Sequence, residues 1–290
     1  ISRWHELAEP ERQSVTGAGG RIAGALRDAV LTDDAVLFSN ACQVIELMEE
    51  YDLIPNLVTL GEHTDNPHAA DATALVLRLA AKLSNRLDQP TREKDARDPQ
   101  VFRKNVLDCL KRSLDRFRYH KKVELLEAFT LLCGPNDELL HTILDDPHHP
   151  CFKGISQSLA SSTNPTIHLL LVNLLQNERA PATVLSIVSH RTDRKFICRL
   201  LGFLDHKTPA EFNRNIKRLR KFSWLNTSTL RLSTFDELDQ VRAMQLLSAS
   251  GVSPESMLDA IEELLINGEP EGRAAACEAL ADFPGDHTNH

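Results

Sequence analysis

Pairs of a helix-capping residue followed by proline stand at the head of periodic stretches at Asn66-Pro67, Asp98-Pro99, Asn164-Pro165, Thr208-Pro209 and Ser253-Pro254. In such a pair the side-chain oxygen accepts from an orphan backbone N–H, and proline takes the first helical position, where its missing donor costs nothing. Thr208-Pro209-Ala210-Glu211 adds a Glu at the third helical position and reads as a capping box. The stretches that follow have a period near 3.6. Ala72, Leu75, Val76, Leu79 and Leu83 form one apolar stripe, Leu125, Leu126, Phe129, Leu132 and Cys133 a second, and Ile167, Leu170, Leu171, Leu174 and Leu175 a third. No comparable run alternates as a half-buried strand would. The chain is therefore expected to be all-α.

Tight polar turns cut these helices into short lengths: Gly134-Pro135-Asn136-Asp137, Asp145-Asp146-Pro147 and Asn267-Gly268-Glu269-Pro270. Short helices joined by such turns are the pattern of an array of α-hairpins. The second halves of successive hairpins are expected to begin near Pro67, Lys121, Pro165, Asp193, Asp236 and Pro270, an irregular spacing of roughly 40 residues that is close to a HEAT or armadillo period. The charged stretch 89–99 (QPTREKDARDP) reads as a long connection between helices.

Near the C-terminal end the pattern becomes specific. Asp239, Val241, Arg242, Ala243, Leu246 and Leu247 resemble the second helix of a HEAT repeat, and Glu271, Gly272, Arg273, Ala275, Ala276 and Leu280 form a looser copy, with Gly272 in place of the Val. The resemblance covers Thr234 to Phe283 and is architectural elsewhere. It implies an α-α superhelix, a HEAT-like solenoid of stacked hairpins occupying 1–290 as a single helical-repeat domain. A compact helical bundle is the alternative. The Arg after each turn is expected to cap it or to bridge to an acidic residue of the neighbouring repeat.

The chain opens on Ile1 without a secretory leader, and Glu271 to Phe283 still presents Ala275, Leu280 and Phe283 with no polar capping repeat after it. It is thus expected to be a piece of a longer protein, or to dock at that end on another chain. Apolar runs such as Leu169 to Val172 fall far short of the roughly 20 residues that span a bilayer, so no membrane insertion is expected. Cys42, Cys109, Cys133, Cys151, Cys198 and Cys277 are scattered without a CxxC pair, which fits buried thiols in a reducing, cytoplasmic setting.

Asp145-Asp146-Pro147-His148-His149-Pro150-Cys151 is the densest set of metal-ligand types, but it has no second cluster at a zinc-like spacing and reads as a polar turn. His287 and His290 add nothing to it. No nucleophile elbow, P-loop, dinucleotide fingerprint or HExxH occurs, and no metal or cofactor is expected. Glu124 and Glu127 read as solvated positions on a helix.

Charge is more informative. Against a net charge of −8, Arg103 to Lys122 carries eight basic residues and two acids, while Glu255 to Asp286 carries nine acids and one Arg. Arg112, Arg116, Arg118, Lys121 and Lys122, together with Arg214, Lys217, Arg218 and Lys221, are the candidate partner-binding residues. The favoured reading is a non-catalytic protein-interaction scaffold. The alternative is a nucleic-acid-binding helical-repeat module, resting on the two basic segments as phosphate-seeking cations; Phe222 and Trp224 nearby could stack on a base, but core packing is the default reading for them. A HEAT-like alkylpurine DNA glycosylase is a remoter form of that alternative, resting on Trp224 beside Arg214 to Lys221.

Overall fold

The three-dimensional structure is a computed structural model, and it describes residues 1–8, 10–12, 22–87, 89, 98–205, 208–226 and 230–283. Among these residues every regular element is helical. In chain order the α-helices are α1 (Ala23–Val30), α2 (Ala35–Met48), α3 (Ile54–Glu62), α4 (Ala69–Leu87), α5 (Pro99–Asp115), the single turn α6 (Phe117–His120), α7 (Val123–Leu132) and α8 (Glu138–Asp145). They continue as α9 (Phe152–Ser161), α10 (Pro165–Leu174), α11 (Ala182–His190), α12 (Arg194–Gly202), α13 (Ala210–Ile216), α14 (Glu237–Ala249), α15 (Pro254–Asn267) and α16 (Pro270–Ala281). The connection expected over 89–99 lies outside the described residues except at Gln89, Asp98 and Pro99, and His287 and His290 lie outside them altogether.

Side-chain caps start many of these helices. Asp98 accepts from Gln100 N at 2.9 Å, Asn164 from Thr166 N at 2.9 Å and Ser253 from Ser256 N at 3.2 Å, each with proline at the first helical position. Asp34, Asp137, Asp193 and Asp236 do the same without proline. A cap of this kind contributes about 1 kcal/mol.

Two of the five expected starts differ. Asn66 accepts from His68 N at 2.8 Å, closing a turn ahead of α4, which begins only at Ala69. Thr208 forms no capping box: Pro209 itself holds the N-cap position of α13, and the Thr208 hydroxyl meets Asn213 Oδ1 at 3.4 Å instead.

The chain divides into two compact units, Ile1–Cys133 with His148–Ser158, and Gly134–Pro147 with Leu159–His290. In the first, α2 packs on α4 and α4 on α7, while α3 packs on α5 and α5 on α7. The stripes expected of α4 and α7 are the buried ones: Ala72, Leu75, Val76, Leu79 and Leu83 are wholly inaccessible, as are Leu125, Leu126 and Phe129. In the second unit α10, α12, α14 and α16 pack in series, each on the next, while α8 packs on α11 and α15 closes over α14 and α16. The series α10, α12, α14 and α16 is made of helices expected to be the second halves of hairpins, and each begins within a residue or two of its expected start.

Buried polar side chains fasten one hairpin to another at the turns. Asn215, fully buried, donates to Leu175 O at 2.9 Å and Asn177 O at 2.8 Å and accepts from Arg218 Nη1 at 2.9 Å. Arg191 donates to Leu159 O, Ser162 O and the Asp193 carboxylate at 2.6–2.7 Å. Gln240 donates to Phe235 O at 2.9 Å and accepts from Glu269 N at 2.9 Å. In the first unit the buried Asn40 reaches Ile1 O at 3.2 Å, and the partly exposed Lys82 reaches Glu46 O at 2.9 Å. Such buried amides and guanidinium groups must be satisfied, because an unpaired one costs about 1–3 kcal/mol.

Candidate functional site

The basic residues divide by what holds them. Arg116 is committed to Glu62 through a forked contact, Nη2 at 2.7 and 2.8 Å and Nε at 3.1 Å from the carboxylate. That pair straddles the 88–97 stretch and joins α3 to the end of α5. Arg218 is committed as well, donating to Ala180 O at 3.1 Å and to Asn215 Oδ1. Both side chains are exposed, yet each is held to internal acceptors, Arg116 through Nε and Nη2 and Arg218 through Nη1, which gives them a structural role that the other cations lack. Arg112 is exposed and lines a cleft with Tyr51, Phe102, Asn105 and Asp108. Arg118, Lys121, Arg214, Lys217 and Lys221 are exposed, and Lys122 is half-buried. Arg214 lies on α13 and Lys217 is its C-cap residue, whereas Arg118 lies on α6 and Lys121 closes it.

The α6 turn is built rigidly. His120 is buried, with Nε2 3.0 Å from Ser113 O and Nδ1 accepting from Lys122 N at 3.0 Å, so one ring ties the turn to α5 and to the start of α7. Phe117 packs edge-on against that ring at 5.6 Å. Lys121 takes a left-handed backbone (φ 52°, ψ 28°), which costs a non-glycine residue about 1–2 kcal/mol and is maintained by these anchors. The result is a knuckle that lifts Tyr119 to 83% exposure between Arg118 and Lys121. Composition and charge counting single out the cations here but not Tyr119, whose exposure follows from the turn and not from its residue type.

Phe222 and Trp224 are buried. The Trp224 ring lies 5.9 Å from Phe222 and 6.1 Å from Phe235, so it is core and has no face free for a base. Among the HEAT-like positions, the buried Asp239 carboxylate accepts from Arg242 Nη1 at 2.8 Å within α14. Arg273 caps its own turn by donating to Gly268 O at 2.8 Å. Thus one Arg caps and the other pairs inside its own helix. Gly272 has a steric reason: a Cβ there would run into the Gln240 amide.

Among the described residues no group of three or more His, Cys, Asp or Glu side chains is placed to hold a metal ion. His149 Nδ1 accepts from Cys151 N at 3.2 Å, and Cys151 Sγ faces Leu114 O at 3.6 Å. Cys42, Cys109, Cys133 and Cys151 are buried, Cys198 is half-buried and Cys277 is exposed. Burial pushes the Cys42 thiol up to about 12, with nearby Asp71 adding to the rise, and burial takes Cys151 and Cys198 to about 11. Glu127 is half-buried and is raised by burial and by Glu124, so it is not a plainly solvated residue. His168, packed under Arg191, is lowered by burial first and by that guanidinium among the rest.

At the C-terminal end of the second unit, α14, α15 and α16 border an open hollow of about 400 Å³. Leu247, Val252, Met257, Ala279 and Phe283 line it together with the polar Ser248, Ser250 and Asp282. No helix among the described residues is long and apolar enough to cross a membrane. Comparison with protein-family models, with curated proteins and with solved structures gives no significant match.

Proposed function

We propose that the chain is a HEAT-like repeat scaffold in which hairpins stack within each unit, and that it binds a protein partner through exposed basic side chains without catalysis of its own. The observation that carries the repeat reading is the reach of the bonds between hairpins. In the second unit Asn215 to Leu175, Asn215 to Asn177, Arg218 to Ala180, Thr183 to Leu144 and Asn177 to Pro135 span 38 to 42 residues. In the first unit Asn40 to Ile1, Lys82 to Glu46 and Cys151 to Leu114 span 36 to 39. Other fasteners are shorter, with Arg191 to Leu159 and Ser162 and Gln240 with Glu269 spanning 29 to 32 residues, so polar bridges of roughly 30 to 40 residues link successive hairpins, as stacked units that contact chiefly their neighbours would require. Packing of each second helix on the next supports the same reading.

Binding is assigned to Arg214, Lys217 and Lys221, which are exposed around α13 and have no structural commitment of the kind that removes Arg218 from the set. The nucleic-acid alternative, and the glycosylase form of it, lose their stacking ring because Trp224 is in the core. Reversing the charge at Arg214, Lys217 and Lys221 while keeping Arg218 tests the proposal. Helicity by circular dichroism should be unchanged, because exposed charges contribute little to folding. Association with captured proteins should fall, mostly through the on-rate, and the difference should shrink as salt rises. Poly(dT) and duplex DNA at low salt are the controls. Steeply salt-dependent binding to either, or captured complexes indifferent to the reversal, would overturn the assignment.

A further inference from the structure

The first unit presents a positively charged knob, and the second contains a hollow of matching character. On the α6 knuckle, Tyr119 is the most exposed large apolar side chain among the described residues, and Arg118 and Lys121 stand exposed on either side. Val123, the first residue of α7, is also exposed, at 46%. His120 holds the knuckle from beneath through Ser113 O and Lys122 N, so little order remains to be gained when it binds. A rigid aromatic flanked by cations is the composition of an interface anchor. The acids nearest in sequence are Asp115, which is exposed, and Glu124, which is half-buried. They bound the positive stretch on both sides and leave it too short to track a phosphate backbone over the roughly four or more nucleotides of a single-strand site.

The hollow between α14, α15 and α16 has the complementary character. Its apolar lining residues are Leu247, Val252, Met257, Ala279 and Phe283, and its volume of about 400 Å³ suits an aromatic side chain. Asp282 lines it, and Glu255 and Glu278, both exposed, adjoin the lining residues Pro254 and Ala279. On the opposite side of the rim the Arg220 guanidinium and the Lys217 carbonyl lie beside Gly251, between the lining residues Ser250 and Val252, so the acids stand on α15 and α16 and the basic residues on the α13 side. Over Glu255 to Asp282 the only basic residue is Arg273, and its Nη1 is spent on Gly268 O.

We infer that these two features meet between copies of this chain: the Tyr119 knuckle of one copy enters the α14–α16 hollow of another, with Arg118 and Lys121 set against Asp282 and Glu278. The contact is heterologous, since knob and hollow are different surfaces, and each copy retains one of each for a further neighbour. Because the attraction is carried by exposed charges around an apolar plug, it strengthens as salt falls, and it depends on the ring.

Sedimentation velocity of the intact chain over a concentration series at low salt tests the inference. The average mass should rise with concentration and should fall back on adding salt. Tyr119→Ala, at a site too exposed to threaten folding, should weaken association about ten-fold, as should Asp282→Lys. The decisive arm is complementation. Tyr119→Ala lacks a knob and keeps the hollow, whereas Asp282→Lys keeps the knob, so an equimolar mixture should recover a species that stops at the dimer. A chain that stays monomeric at every concentration would overturn the inference. So would association that neither substitution weakens, or a mixture that recovers nothing. Arg214, Lys217 and Lys221 are unchanged in both variants, so the scaffold reading is tested separately by their charge reversal.

Discussion

Cys42 lies against α4 in the core of the first unit, and its thiol is held up to about 12 by burial and by Asp71, against an ordinary value of 9.0. An unfolded chain releases that proton first, so the stabilisation is complete below about pH 9 and is lost as pH rises towards about 12. Urea midpoints taken from about pH 8 to about pH 11 should fall steadily, and Cys42→Ala should make the fall shallower while leaving the fall due to Cys151 and Cys198. An unchanged slope would show that the Cys42 thiol does not contribute to the fall. At this scale the sequence reading captured the chemistry of residue types but not their commitments. Arg116 and Arg218 look like Arg118 and Lys217 in a charge count, and only Glu62 and Ala180, each well over thirty residues away, separate the structural pair from the free one. Tyr119 was missed for the same reason, since a buried His120 and a left-handed Lys121 create its exposure.

The helices were legible where a local interaction decides them. Asp98, Asn164 and Ser253 cap as their spacing before proline implies, and the stripes of α4, α7 and α10 face the core because a 3.6-residue period leaves no other way to bury them. Thr208 failed because Pro209 stands at the N-cap position itself, one residue later than the pattern assumes. Closeness of packing was not legible, since it depends on which helices meet. Gly61 on α3 shows this: a Cβ there would strike the Thr73 side chain on α4, so glycine sets the approach of that hairpin. Gly61→Val should force the two helices apart and destabilise by about 1–3 kcal/mol. Thermal or urea unfolding checks it, and Gly61→Val with Thr73→Ala should recover part of the loss. A neutral Gly61→Val would mean that the hairpin yields at no cost.

Across the molecule, the order of helices and their short turns could be read in advance, because amphipathic hairpins cannot cover their own apolar faces. The device that registers one hairpin on the next could not. Asn215, Arg191 and Gln240 sit at unremarkable sequence positions, and they bond to backbone carbonyls and amides that no motif marks. The proposed stacking of repeats, each held chiefly by its neighbours, is tested most directly by hydrogen exchange after Gln240→Ala. The substitution leaves Phe235 O and Glu269 N without their buried partner, a cost of about 2–4 kcal/mol. If the repeats are coupled only to their neighbours, protection should drop in α14, α15 and α16 and persist in α8 and α11 of the same unit. A uniform loss of protection across all the helices of that unit would contradict the repeat account.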